Sequence, residues 1–113
     1  MKPLSRIEEI IMLSILKLGD EAYGVSIREQ ILKDTREKWS FASIYPPLEN
    51  LKRRGLVQRT KGDPSPERGG KSKYFYEVTS VGRQILIKTH DSRQKMWAGA
   101  KKILWDLNGK KLP

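Results

Sequence analysis

The stretch ASIYPPLENLKRRGLV, residues 42–57, reads as a basic amphipathic helix that stops at Gly55 and runs directly into a strand. Leu48, Leu51 and, past the terminating glycine, Leu56 fall on one side; Glu49, Lys52, Arg53 and Arg54 fall on the other. The helix starts between Ser40 and Ser43, since either serine can cap the first free backbone N–H groups. Pro46 and Pro47 constrain that start, because proline is free of cost only in the first turn, where its missing N–H had no partner. Strand-like runs at 56–60 and 74–79 flank KGDPSPERGGKSK, a segment with two prolines, three glycines and no aliphatic residue. Such a segment cannot be core, so the two strands are expected to pair as a hairpin with a long polar tip. A helix with a basic end followed by a basic hairpin suits a DNA groove and the phosphates beside it.

Upstream, Ile7, Ile10, Ile11, Ser14, Ile15 and Leu18 recur at helical spacing over residues 5–18, and Ser5 with Glu8 forms an S-x-x-E capping box. A second helix is expected over residues 23–35, with Val25, Ile27, Ile31 and Leu32 apolar. Downstream, one long helix is expected from a Thr79 cap to a stop at Asn108-Gly109. Its residues Met96, Ala100, Ile103 and Leu107 step by four and three in a heptad-like seam, flanked by Trp97, Leu104 and Trp105. At about 1.5 Å per residue such a helix outruns a small domain, so its far half calls for the same helix of a second subunit. The last residues, GKKLP, read as a frayed tail.

A chain of 113 residues with 37% hydrophobic and 32% charged residues has room for one modest core. The net charge of +10 is distributed as −1 over residues 1–37, +5 over 38–80 and +6 over 81–113, so the excess sits on the second and third segments. Either a polyanionic partner or a generally basic, solvated surface is implied. The lack of cysteine excludes disulfides, zinc fingers and thiol catalysis. The single histidine, His90, has only the adjacent Asp91 as a nearby acid, and the GGK of the hairpin lacks phosphate-loop spacing, so no catalytic role, metal or cofactor is expected. No apolar run is long enough to span a bilayer, and a cytoplasmic protein is the expectation.

Helix, helix, helix, strand, wing, strand, helix is the order of a winged helix-turn-helix. The detailed residues resemble the PadR family of bacterial transcriptional regulators over about residues 4–107: Tyr23-Gly24, then Ser43-Ile44-Tyr45-Pro46 with Leu48, Leu51, Gly55 and Leu56, the wing Pro66-Glu67-Arg68-Gly69-Gly70-Lys71, and Tyr76-Glu77-Val78-Thr79 before Gly82. Ala42, Ile44 and Pro47 depart from the family's more frequent residues, and the single C-terminal helix resembles its short members. The resemblance implies that the helix bearing Ser43 and Tyr45 lies in the major groove. Lys52 and Arg53 would then touch phosphate at its far end, and the wing residues Arg68, Gly69, Gly70, Lys71 and Lys73 would approach the neighbouring backbone. It also implies a homodimer joined through Met96, Trp97, Ala100, Ile103, Leu104 and Leu107, with Trp97 placed to stack a flat aromatic effector.

The expected architecture is therefore α+β and mainly helical. A winged helix-turn-helix DNA-binding domain over residues 1–79 is followed by a long dimerisation helix over 80–108 and a disordered tail over 109–113. The expected function is a sequence-specific, dimeric transcriptional repressor on an inverted repeat of double-stranded DNA, responsive to an effector. The alternative is a winged-helix module for protein interaction or non-specific nucleic-acid binding.

Overall fold

The computed structural model describes residues 2–64, 69 and 72–111. Its elements follow the expected order as far as the hairpin, and two helices come after it: α1 (Arg6–Leu18), a 3₁₀ turn (Gly19–Glu21), α2 (Gly24–Thr35), α3 (Phe41–Arg53), β1 (Val57–Pro64), β2 (Ser72–Val78), α4 (Ser80–Trp97) and α5 (Ala100–Lys111). The capping box forms as the sequence predicts. Glu8 N–H donates to Ser5 Oγ at 3.1 Å, and Ser5 N–H donates to Glu8 Oε1 at 2.9 Å. The inward face of α1 is rotated from the expected one, however. Glu8, Ile11, Met12, Ser14 and Ile15 are buried, whereas Ile7 is exposed, because α2 and α3 pack on the stripe centred between Ile11 and Met12.

In α2, Ile27 and Ile31 are buried while Val25 and Leu32 remain exposed. Tyr23 N–H donates to Ser26 Oγ at 2.9 Å, so the serine three residues into the helix ties down its start. Ser40, not Ser43, caps α3, its Oγ accepting from Ser43 N–H at 3.2 Å. The helix therefore begins at Phe41, and Pro46 and Pro47 fall in its second turn. Neither can donate to the carbonyl four residues back, and interior prolines each cost on the order of 3 kcal/mol. Burial of Ile44, Leu48 and Leu51 offsets that cost by fixing α3 on the core. Its C-terminus closes with Leu56 N–H on Leu51 O and Gly55 N–H on Lys52 O, both at 3.0 Å, with Gly55 at φ 72°.

The antiparallel hairpin is longer than predicted and pairs Val57 with Val78 through Lys61 with Tyr74, with an irregularity between Lys61 and Pro64. It is anchored to the start of α2, since Tyr23 bridges Phe75 and Tyr76 N–H donates to Ala22 O at 2.8 Å. Thr79 caps α4 as expected, accepting from Gly82 N–H at 3.0 Å while donating to Gly55 O at 2.7 Å. One hydroxyl thus joins the end of α3 to the beginning of α4. Gly82 lies against Leu56 O, where a side-chain carbon would overlap the carbonyl.

The expected single C-terminal helix is two helices. Ala98 turns to an extended conformation (ψ 128°) and Gly99 to φ 79°, which ends α4 at Trp97 and starts α5 at Ala100. A residue without Cβ enters the left-handed region at no steric cost, so the chain bends there. Across the bend the indoles of Trp97 and Trp105 meet edge-on, centroids 6.2 Å apart. The heptad-like seam is therefore split, with Met96 and Trp97 on α4 and the remainder on α5. α5 also passes through Asn108-Gly109 to Lys111 instead of stopping there. The Cα radius of gyration is 17.4 Å, against about 13 Å for a compact chain of this length, because α4 and α5 project from the core.

Glu8 joins these parts. Its Oε2 accepts from Asn50 Nδ2 at 2.8 Å and lies 3.3 Å from Arg54 Nη1, and Arg54 donates in turn to Lys2 O. Burial raises the carboxyl's pKa, but the hydrogen bonds from Ser5 and Asn50 and the Arg54 charge outweigh it and hold the group below its ordinary 4.5. A lowered folded pKa means that the stabilisation is in place above 4.5 and is lost as the pH falls through the folded value. Glu8→Ala is expected to cost about 2–4 kcal/mol in urea denaturation at pH 7, with the gap to wild type closing as the pH drops below 4.5.

Candidate nucleic-acid interface

With Ile44, Leu48 and Leu51 committed to the core, the opposite side of α3 faces outward along Ala42, Pro46, Glu49 and Arg53, all exposed. Ser43 and Tyr45 flank this stripe and are exposed as well. The Ser43 hydroxyl lies 3.0 Å from Ser40 Oγ, within the cap of the helix. Tyr45 is held on two sides: its ring stacks on Phe41 at 5.8 Å and 26°, and its hydroxyl lies over Gly24 at the start of α2. It serves packing and surface together, for 47% of it is still accessible.

Phe41 and Arg28 were not anticipated from the sequence. The Arg28 guanidinium lies 4.9 Å from the Phe41 ring centroid, and its Nε donates to Trp39 O at 2.6 Å. The Phe41, Tyr45 spacing of four residues was the available signal, but it requires knowing that the helix already includes Phe41.

The basic end of α3 is divided among different tasks. Lys52 pairs with Glu49 at 3.3 Å, Arg54 turns back to Glu8, and Arg53 points outward with no ion pair among the described residues. Arg54, read from the sequence as an outward group, is thus part of the frame. On the hairpin, Lys73 Nζ sits 4.0 Å from the Tyr23 centroid, and Tyr23 meets Phe75 edge-on at 5.8 Å. Arg59 covers Tyr74 at 4.4 Å. Burial pushes the Tyr76 phenol up, and the Arg59 guanidinium, donating toward its oxygen and carrying a positive charge, only partly offsets this. Gly69 takes φ 65°, a conformation that suits glycine in a tight turn. Arg68, Gly70 and Lys71 lie outside the described residues.

At the other end of the molecule Met96, Trp97, Ala100, Ile103, Leu104 and Leu107 are all exposed in the single chain. Met96 and Trp97 join Pro3, Leu4, Val81 and Ile85 around an open groove of about 640 Å³. His90 and Asp91 do approach, at 3.3 Å, but both are exposed. Among the described residues no cluster of histidine and carboxylate side chains could hold a metal ion, and no helix is long and apolar enough to cross a membrane.

The model of the transcriptional regulator PadR-like family matches residues 12–88, from the middle of α1 through the hairpin to the first half of α4. The chain belongs to the PadR-like family. PadR-family proteins are DNA-binding transcriptional regulators and not enzymes, and both statements hold for this member. Solved structures show the same PadR-like winged-helix fold. A transcriptional regulator of Thermoplasma acidophilum is 23% identical with a TM-score of 0.67, over 92% of this chain and 90% of that one. A PadR-like regulator of Bacillus cereus is 24% identical with a TM-score of 0.65, over 89% of each chain. A PadR-family regulator of Eggerthella lenta is 24% identical with a TM-score of 0.66, over 84% of this chain and 80% of that one. No curated protein matches this PadR-like chain.

The contact of Tyr45 with Gly24 makes a sharp expectation. Gly24→Ala should lower stability by about 1–3 kcal/mol by displacing the phenol, seen as a change in near-ultraviolet circular dichroism. In a Tyr45→Ala background the same substitution should cost nothing, and additive losses in the double variant would refute the contact.

Proposed function

We propose that the chain is a homodimeric repressor that binds an inverted repeat in double-stranded DNA, with α3 of each subunit in the major groove and the β1–β2 wing on the adjacent backbone. The observation that carries this reading is the outward stripe of α3, free of core duties and set beside a basic hairpin. Ser43 and Tyr45 stand near the bases, and Lys52 and Arg53 reach phosphate. Arg68, Gly69, Gly70, Lys71 and Lys73 follow the backbone from the wing. Lys73, pre-oriented on Tyr23, acts with less freedom to lose than an unattached lysine.

The second subunit covers Met96, Trp97, Ala100, Ile103, Leu104 and Leu107, whose exposed apolar surface a lone chain would leave in water. A flat aromatic effector stacks on Trp97, which already lines the open groove. Binding by the effector would shift the angle between the DNA-reading heads, and the protein works in the cytoplasm, where its operator lies.

Selection of bound sequences from random duplex DNA should return a palindromic consensus with half-sites about 34–36 Å apart or a multiple of that distance. A specific to non-specific affinity ratio below about 10-fold would instead identify a non-specific nucleic-acid-binding module. Arg53→Gln and Lys71→Gln should each reduce the salt dependence of binding by about one unit of slope and weaken all sequences alike. Sedimentation should give a dimer that Ile103→Glu dissociates, and planar aromatic ligands should quench its tryptophan emission.

A further inference from the structure

The outermost residues of α3 differ from those the sequence nominated for the bases. At about 100° per residue, Ala42, Pro46, Glu49 and Arg53 lie opposite the buried Ile44, Leu48 and Leu51, while Ser43 and Tyr45 lie to either side. The chemistry along the first three of these positions is unusual for a DNA-facing helix. It holds a methyl group, a proline ring and a carboxylate, and no cation before Arg53.

Pro46 adds an acceptor. In a regular helix the N–H of residue 46 would donate to the carbonyl of Ala42, but proline has no N–H, so this carbonyl has no partner from the ladder. Pro47 does the same to the carbonyl of Ser43 on the flank. Carbonyls freed by proline on the solvent side of a helix tilt outward. Glu49, exposed and held by Lys52 at 3.3 Å, is a second acceptor one turn further on, with its charge offset by the lysine.

We infer that Ala42, Pro46 and Glu49 determine base specificity, the apolar pair reading thymine 5-methyl groups and the two acceptors reading exocyclic amines, with Glu49 on a cytosine. The inference rests on α3 lying in the major groove. There, thymine presents a methyl group, while the amines of cytosine and adenine are the only base-edge donors. Carboxylates accept from cytosine N4, and guanine is read by arginine or lysine, which this stripe lacks until its last turn. The reading head is thus matched to the apolar and donor groups of the groove, and its positive charges work at the periphery on phosphate.

Selection from random duplexes with the full chain, repeated with Glu49→Gln and Pro46→Ala, tests this directly. Wild type should select thymine and cytosine within each half-site, and uracil in place of the thymine should weaken binding several-fold. 7-Deazaguanine opposite the selected cytosine should change nothing, because guanine N7 is not read. Glu49→Gln should move the cytosine position toward adenine, since a glutamine amide pairs with adenine N6 and N7. Pro46→Ala restores the helix bond, so it should fold at least as stably and lose about 5-fold or more of its discrimination at one further position. A wild-type selection without a consensus overturns the regulator reading and this inference with it. A clear consensus that Glu49→Gln leaves unmoved overturns the inference alone.

Discussion

The Glu8 carboxylate is the contact on which the arrangement of the winged-helix domain depends. It completes the cap of α1, accepts from Asn50 in α3, and neutralises Arg54 just beyond the end of α3. The same arginine reaches Lys2 O, so the N-terminal segment, α1 and α3 converge on one buried group. A carboxylate with this much hydrogen bonding is favoured in its charged form despite burial, which makes the junction directional as well as strong. α3 is thereby fixed in rotation as well as position, and rotation decides which of its residues face outward.

Cations in this chain are divided between frame and surface, so the count of 23 lysines and arginines overstates what is free for a polyanion. Arg54 and Arg93 are bound to Glu8 and Glu9, the latter pair at 2.8 Å between α4 and α1. Arg28, Arg59 and Lys73 lie over aromatic rings, where they keep their charge but give up much of their freedom. A cation held in this way has already lost the rotamer entropy that a contact would otherwise demand.

Local signals in the sequence carried most of the fold. The Ser5-Glu8 box, the Thr79 cap and the Gly55 stop each use residues a few positions apart, and each forms as read. The start of α3 was ambiguous because two serines could cap it, and the prolines argued for the later one; core burial of Ile44 overrode that local cost. The break at Ala98-Gly99 was hidden because the apolar steps from Met96 to Leu107 continue through it without a gap. Side-chain periodicity is blind to a backbone turn that keeps the pattern. For the candidate interface, residue types were legible but their allegiances were not. That Arg54 belongs to Glu8, Tyr45 to Gly24 and Lys73 to Tyr23 depends on contacts between distant parts of the chain.

The corner at Gly99 has a mechanical consequence. α5 is 12 residues long, about 18 Å at the usual helical rise, and it is joined to α4 through essentially two backbone positions. A rotation of ten degrees there would carry the far end of α5 through about 3 Å, roughly half of a helical turn's rise. The Trp97–Trp105 contact is the brace across that joint. An arm with one apolar face mounted in this way has the geometry of a lever, in which the packing of two indoles sets where its far end points.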